Sequence, residues 1–473
     1  MASGTSMTWR PLADTARDPK VPRSEGRAGR AGRKPKAESR QPRRAPSAER
    51  RAPSAERRAA SGERRAASAG VSVQAADARD AGKGTAMIDP ADARPALARR
   101  RFTGAVLALA ATPPASWATS GEAPAAPSGR PRLVAAGGPV LVEGRDELVA
   151  EVHVDWPADS APPTALRLLD EDRGDVFEAF DGTALAPRLA RIDGQRLVCH
   201  VELSSAPGRP LPGRLRPVLW AGVDAAGTDA ARADRVLAGE ALTLPGPAAP
   251  VFGAPLGDGL WVAIHDPSWA RGHRRVGFQR ADRWTIPGRH AIDFVRVDED
   301  GRIARGDPDR PAHHLGHGAP VLAVAAGVVT AARDGMAEAA SVAGNPRHPL
   351  ADAPGNHVVL SLDGGRHVIY EHLRPGSLTV RPGDRVRRGQ VLGALGFTGD
   401  STGPHLHLHL CDEAAPNAGE GLPFVFERFE RLGGYDDLAL LGKARWRPAP
   451  EGEAILRRSE KPAPHRVIRF PAA

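Results

Sequence analysis

Cysteine is nearly absent from this chain: 473 residues hold two, Cys199 and Cys411. Two thiols so far apart fit no zinc-ribbon spacing, and a chain of this length needs no disulfide framework to hold its core. They are expected as separate thiols, at least one of them buried. Long apolar runs are also missing. The best, residues 104–111 with their flanks, is about ten residues long, too short to span a bilayer. A basic surplus is missing from everything after the leader. Residues 1–101 carry 24 Lys and Arg against 11 Asp and Glu, whereas the remainder carries 41 against 45. The formal charge of +9 therefore belongs to the N-terminus. With no basic patch interleaved with aromatics further on, nucleic acid is not an expected partner.

The leader is poor in large apolar residues as well. A seven-residue Arg/Ala/Ser/Glu repeat runs through 43–49, 50–56 and 57–63, with no apolar seam that could support a coiled coil. Residues 1–86 are thus expected as a disordered basic leader, because they cannot bury enough surface to offset chain entropy. An alternative reading leaves them untranslated, since Met87 opens a complete export signal. Arg99-Arg100-Arg101-Phe102 is a twin-arginine-like basic region, 104–111 is a short apolar stretch, and Ser116-Trp117-Ala118 supplies small residues for a signal peptidase. Residues 87–118 are read as this signal peptide and 119–130 as a Pro/Ala/Gly/Ser linker. The expected localisation is exported, periplasmic or associated with the cell envelope, with no integral membrane segment after signal removal.

What remains is mostly β in pattern. Short β-type runs at 139–143, 148–154, 197–203 and 218–220, broken by turn residues, predict a small all-β accessory domain over 131–244, sandwich-like. It holds no constellation that carries chemistry. The Pro/Gly run at 245–250 closes it. From 252 the character changes, and 13 of the 16 histidines fall between 265 and 409. The most informative run is His405-Leu406-His407-Leu408-His409-Leu410. Residues two apart on a strand share a face, so three leucines line one side and three histidines the other. A row of imidazoles packs poorly and needs partners, and neutral imidazole is the commonest protein metal ligand and a usual general base near neutral pH. The rhythm of 380–393 suits tight turns in a sheet. It also suits biotinyl or lipoyl carriers, but these need a lysine at a hairpin tip and 252–442 contains none.

The motifs support one named resemblance. Gly318-Ala319-Pro320-Val321-Leu322-Ala323, Gly355-Asn356-His357-Val358-Val359-Leu360, Tyr370-Glu371-His372-Leu373, Gly389-Gln390-Val391-Leu392-Gly393 and the run from Gly396 to His407 follow one another in an order and spacing that resembles the lysostaphin/LytM-type zinc endopeptidases. The resemblance covers roughly residues 253–430. It implies an antiparallel β-sheet zinc peptidase domain over 252–435, followed by a C-terminal tail over 436–473. It further implies one Zn2+ per chain and cleavage of peptide bonds in peptidoglycan. By the same resemblance His407 binds the metal, Asp293 is a second ligand, and His372 and His405 are catalytic. The family's His-x-x-x-Asp spacing is absent, because residue 289 is Arg. His273, in a Gly-His-Arg-Arg segment like that of a variant branch, is favoured as the third ligand. His290 is the alternative, although an odd offset from Asp293 puts the two on opposite faces of a regular strand. His409 is left open between orienting a neighbour and facing solvent. The cluster His313-His314-Leu315-Gly316-His317 is expected as loop rather than metal site.

Two neutral nitrogens and one carboxylate leave a net +1 at a zinc ion, which would acidify water and polarise a carbonyl. His372 and His405 would serve the proton transfers, without the sequence saying which does which. No His-Glu-x-x-His helix supplies a glutamate base. The expected function is an exported zinc endopeptidase acting on peptidoglycan. A non-catalytic wall-binding or hydrolase-activating relative is the alternative, disfavoured because Asp293, His372, His405 and His407 all persist. A regulatory partner is left open.

Overall fold

The computed structural model describes residues 129–471 apart from 159, 222–234, 247–248, 271, 281–282 and 452–454. The leader 1–86, the export segment 87–118 and linker residues 119–128 lie outside the described residues.

The run 148–154 forms the centre of the strand Arg145–Asp155, whose alternating residues Leu148, Ala150, Val152 and Val154 are buried. This strand pairs antiparallel with Arg132–Val134, Val140–Val142 and Arg196–Ser204, and Leu189–Arg191 adds a further edge. A second antiparallel sheet joins Leu242–Thr243, Arg214–Ala221, Pro163–Asp170 and Asp175–Asp181, with Arg235–Ala238 also on Arg214–Ala221. Leu148, Val152 and Val201 from the first sheet meet Leu166, Leu168, Leu215 and Leu219 from the second in one core that also takes in Trp156. Two sheets sharing one apolar layer is the sandwich arrangement expected for 131–244.

From Val251 onward the chain builds a large sheet. In order, its strands are Val251–Phe252, Val425–Gly434, Arg466–Arg469, Leu260–Ile264, Ile292–Val297, Leu406–Cys411, Arg366–Leu373, Asn356–Leu362, Gly327–Arg333 and Arg385–Val386. The pairing is antiparallel except between Val251–Phe252 and Val425–Gly434. The fold is thus mostly β, with its sheets antiparallel apart from that one pairing. Leu406, Leu408 and Leu410 are fully buried among Phe294, Phe424, Tyr370 and Val368, each burial contributing roughly 2 kcal/mol.

One boundary needs correction. Residues 436–473, expected as a tail, supply strands to this sheet, and Arg466–Arg469 lies between Leu260–Ile264 and Val425–Gly434. The adjacent pair Val467-Ile468 between Arg466 and Arg469 is too short to read as a strand on its own; both side chains are nonetheless fully buried. No described helix is long and apolar enough to cross a membrane. Cys199 and Cys411 are both buried free thiols.

Candidate metal and catalytic site

The sheet register brings the central groups together. In adjacent antiparallel strands, directly opposed residues project to the same face. Asp293 stands opposite His407, and His407 in turn stands opposite Glu371. The leucine face of Leu406–Cys411 fills the core, which leaves its histidines on the other face, as the alternation requires. That face is not solvated: His405, His407 and His409 are all buried.

Asp293 is the hub. His407 Nδ1 lies 2.8 Å from its Oδ1, His273 Nε2 lies 3.1 Å from its Oδ2, and His405 Nε2 lies 3.4 Å from Oδ1. The possible ligand atoms of His273, Asp293 and His407 all fall within 4.8 Å of one another. The His273 and Asp293 side chains retain 26% and 19% of their exposure, so the cluster opens to solvent on that side. Burial would raise the Asp293 pKa, but His273 and His405 outweigh it and hold the carboxylate well below its usual range. His407 is pushed down by burial, with Asp293 opposing.

His273 comes from no strand. It opens a one-turn 3-10 helix, His273–Arg275. His290 precedes the strand Ile292–Val297 and takes no part in the cluster. Its carbonyl accepts a hydrogen bond from Lys461 Nζ at 3.3 Å, and burial with the charges of Lys461 and Arg289 holds its ring neutral. Arg289, at the position where the resemblance expects a histidine, turns away to Glu151 and Glu420.

His372 and His405 are aimed by backbone carbonyls. His372 Nδ1 is 2.8 Å from Thr398 O, and His405 Nδ1 is 2.7 Å from Gly403 O. A carbonyl only accepts, so each Nδ1 carries the hydrogen and each Nε2 is left for the cluster. The two rings are 4.7 Å apart between centroids. His372 has φ of +62°, a left-handed conformation that a histidine adopts at a cost, as residues at functional sites often do. Burial, then His405 and His407, push the His372 pKa well down. Burial also acts against His405, but the Asp293 charge and hydrogen bonding outweigh it and raise its pKa. A dication on Asp293 would remove that cause.

Sequence reasoning missed Glu371. It is buried, its carboxyl is pushed up to about 8 by burial and by Asp293, and its Oε1 lies 3.9 Å from His409 Nδ1. Glu371, His407 and His409 form a second group of possible ligands beside the first. His409, 2% exposed, is therefore no solvated strand residue, and neither ring nitrogen makes a hydrogen bond of good geometry. Alternation hides it: with His372 facing the cluster, Glu371 is expected on the other side of the strand, yet the register sets Glu371 opposite His407 and the positive φ of His372 breaks the alternation. In the triple-histidine cluster His313 faces the Asp307 carbonyl, His314 the Pro308 carbonyl, and His317 the Glu338 carboxylate.

Residues 313–417 match Peptidase family M23. Asp293 and His273 lie upstream of that span. Over 119 residues the chain is 32% identical to the peptidoglycan DD-endopeptidase ShyC of Vibrio cholerae, covering 25% of each chain. Over 74 residues it is 38% identical to the glycyl-glycine endopeptidase ALE-1 of Staphylococcus capitis, covering 15% of this chain and 20% of that one. The chain thus spans a quarter or less of the length of these relatives. Among solved structures, the catalytic domain of lysostaphin from Staphylococcus simulans is 25% identical, covering 25% of this chain and 84% of that one with a TM-score of 0.16. The matched span includes His372, His405 and His407 in the motifs that resemble the lysostaphin/LytM type, and it is this span that is similar to Peptidase family M23.

Proposed function

We propose that this chain is an exported, zinc-dependent endopeptidase that hydrolyses peptide bonds of peptidoglycan. The carrying observation is the convergence of His273 Nε2 and His407 Nδ1 on opposite oxygens of Asp293, with His372 and His405 alongside. Two imidazole nitrogens and one carboxylate oxygen are a donor set suited to zinc, and three protein ligands are the number found at catalytic zinc sites. Zinc held there supplies Lewis acidity, acidifying water and polarising the scissile carbonyl.

The chain's own residues do the rest. His372 and His405 present Nε2 to the cluster, their Nδ1 hydrogens committed to Thr398 and Gly403. One accepts the proton of the attacking water and the other donates to the developing oxyanion or the leaving amine. Neither ring can tip away without losing its carbonyl partner, so both are pre-oriented for transfer. The relatives named as peptidoglycan and glycyl-glycine endopeptidases support the substrate class. A wall substrate requires export, for which residues 87–118 carry the signal pattern.

Zinc analysis combined with digestion of purified peptidoglycan tests this reading. His407→Ala is expected to lose both zinc and activity, while His405→Ala keeps zinc and loses activity. His273→Ala should lose zinc and His290→Ala should retain it. Undiminished digestion by the His407 and His405 variants would remove the proposal.

A further inference from the structure

His273 stands on weak footing. The 3-10 turn His273–Arg275 is closed by two backbone bonds, Arg275 N to Gly272 O at 2.9 Å and Val276 N to His273 O at 3.2 Å, and no side chain caps its start. A single turn of this kind does not hold itself. Its next two residues tie it elsewhere. Arg274, 3% exposed, donates from Nε to Glu151 Oε1 at 3.0 Å, from Nη2 to the Val201 and Ala150 carbonyls, and from Nη1 to Glu202. Arg275 donates from Nη1 to the Arg188 carbonyl at 3.2 Å. Apart from the Pro267 and Trp269 carbonyls, which take further bonds from Arg274 Nη1 at 3.1 Å and Arg275 Nε at 2.9 Å, every acceptor of the two side chains belongs to the N-terminal sandwich.

The other oxygen of Glu151 is taken from the opposite side. Arg289 Nη1 donates to Glu151 Oε2 while Arg289 Nε donates to Glu420 at 2.8 Å. The backbone just before Arg289 lies against the histidine: a Cβ added at Gly288 would fall 3.0 Å from His273 Cβ. Glu151 itself is fully buried. A carboxylate there is tolerable because two guanidinium groups share it, with His200 Nδ1 3.4 Å from Oε1, and each guanidinium belongs to a segment touching His273.

We propose that Glu151 is a positioning residue of the metal site: by holding Arg274 and Arg289 together it fixes the turn that presents His273, which makes the sandwich a working part of the peptidase centre. The proposal rests on His273 as a metal ligand. It gives the 131–244 body a role that its lack of chemical motifs did not suggest, and it explains why residue 289 can be Arg. That side chain supports the turn carrying His273 instead of supplying a ligand. Outer residues that orient a ligand typically govern metal affinity by ten- to a hundredfold.

The test uses the full chain as wild type, Glu151→Gln, Arg274→Met, His273→Ala and Arg466→Met. Arg274→Met leaves the Glu151–Arg289 pair in place, so it serves where Glu151→Gln folds poorly. Arg466→Met breaks a different sandwich contact, to Glu143, and controls for general loosening. Two quantities are measured: amide exchange at Arg275 and Val276 in metal-free protein, and zinc affinity by chelator competition. Glu151→Gln and Arg274→Met should speed exchange at both amides about tenfold or more and weaken zinc roughly ten- to a hundredfold. Arg466→Met should change neither. Wild-type exchange or wild-type zinc affinity in folded Glu151→Gln and Arg274→Met overturns the proposal, as do equal losses in Arg466→Met. Zinc binding by His273→Ala at wild-type affinity overturns the metal reading instead, and the exchange rates then still decide whether Glu151 fixes the turn.

Discussion

Lys461 shows how much one side chain can carry outside any motif. It is buried, with Nζ 3.3 Å from the His290 carbonyl, and burial pushes its pKa down from 10.5 to about 8 against the pull of Glu147. The folded chain therefore gives up this proton at a lower pH than the unfolded chain does. The stability contribution is full above about 10.5 and is lost as pH falls through about 8. At neutral pH the protein pays for a buried ammonium. Lys461→Met should thus gain on wild type as pH is lowered from 10 to 7, by roughly 3 kcal/mol in unfolding free energy. Urea unfolding at the two pH values measures this, and a wild-type-to-variant difference that does not change with pH would refute it. At this scale the sequence was uneven. His407 stood out because strand alternation singles out its face, whereas Asp293 entered through the motif resemblance alone. Lys461 could not, because nothing local distinguishes a buried lysine from a solvated one.

At the scale of elements, strands with strong alternation were legible and the loop that aims His372 was not. Residues 405–410 read as a two-faced strand and are one. Gly355 and Gly399 stand in the motif runs without a local pattern that shows why glycine is needed there. They are required by close approach: both have positive φ, and a Cβ on Gly355 would fall 2.4 Å from Thr398 Oγ1 and one on Gly399 2.3 Å from the Ala353 carbonyl. This contact sets the Thr398 carbonyl on His372 Nδ1, and Thr398 Oγ1 bonds the Leu373 carbonyl and the Asn356 N–H. Gly399→Ala must open the loop, because the atoms it meets are backbone and cannot swing aside. The predicted outcome is a kcat reduced on the order of a hundredfold, the scale of a misplaced catalytic group, with zinc content unchanged. Equal loss of zinc would show that the loop supports the metal cluster rather than His372.

At the scale of the whole molecule, the two bodies that the sequence separates at 245–250 share buried surface. Val140 and Val142 from the sandwich pack with Val425 and Ala463 from the peptidase body, all at most 7% exposed. Lys461 N donates to the Leu141 carbonyl at 2.9 Å, and Arg466 pairs with Glu143 through 2.6 and 3.0 Å bonds. Add Glu151 between Arg274 and Arg289, and separation of the bodies would expose valines and strip a buried ion network of its partners. These contacts join residues more than a hundred positions apart, between segments whose local patterns are each complete, so composition could mark the boundary but not the bond across it. The cost of parting should exceed what either body alone spends to stay folded. Calorimetry of the described region within the full chain is therefore expected to give one cooperative transition, with calorimetric and van't Hoff enthalpies equal. Val142→Asp should lower that single midpoint rather than release an intact peptidase body. Two resolved transitions in the wild type would mean that the sandwich is an appendage, and Glu151 could then hold His273 only while the two bodies happen to be docked.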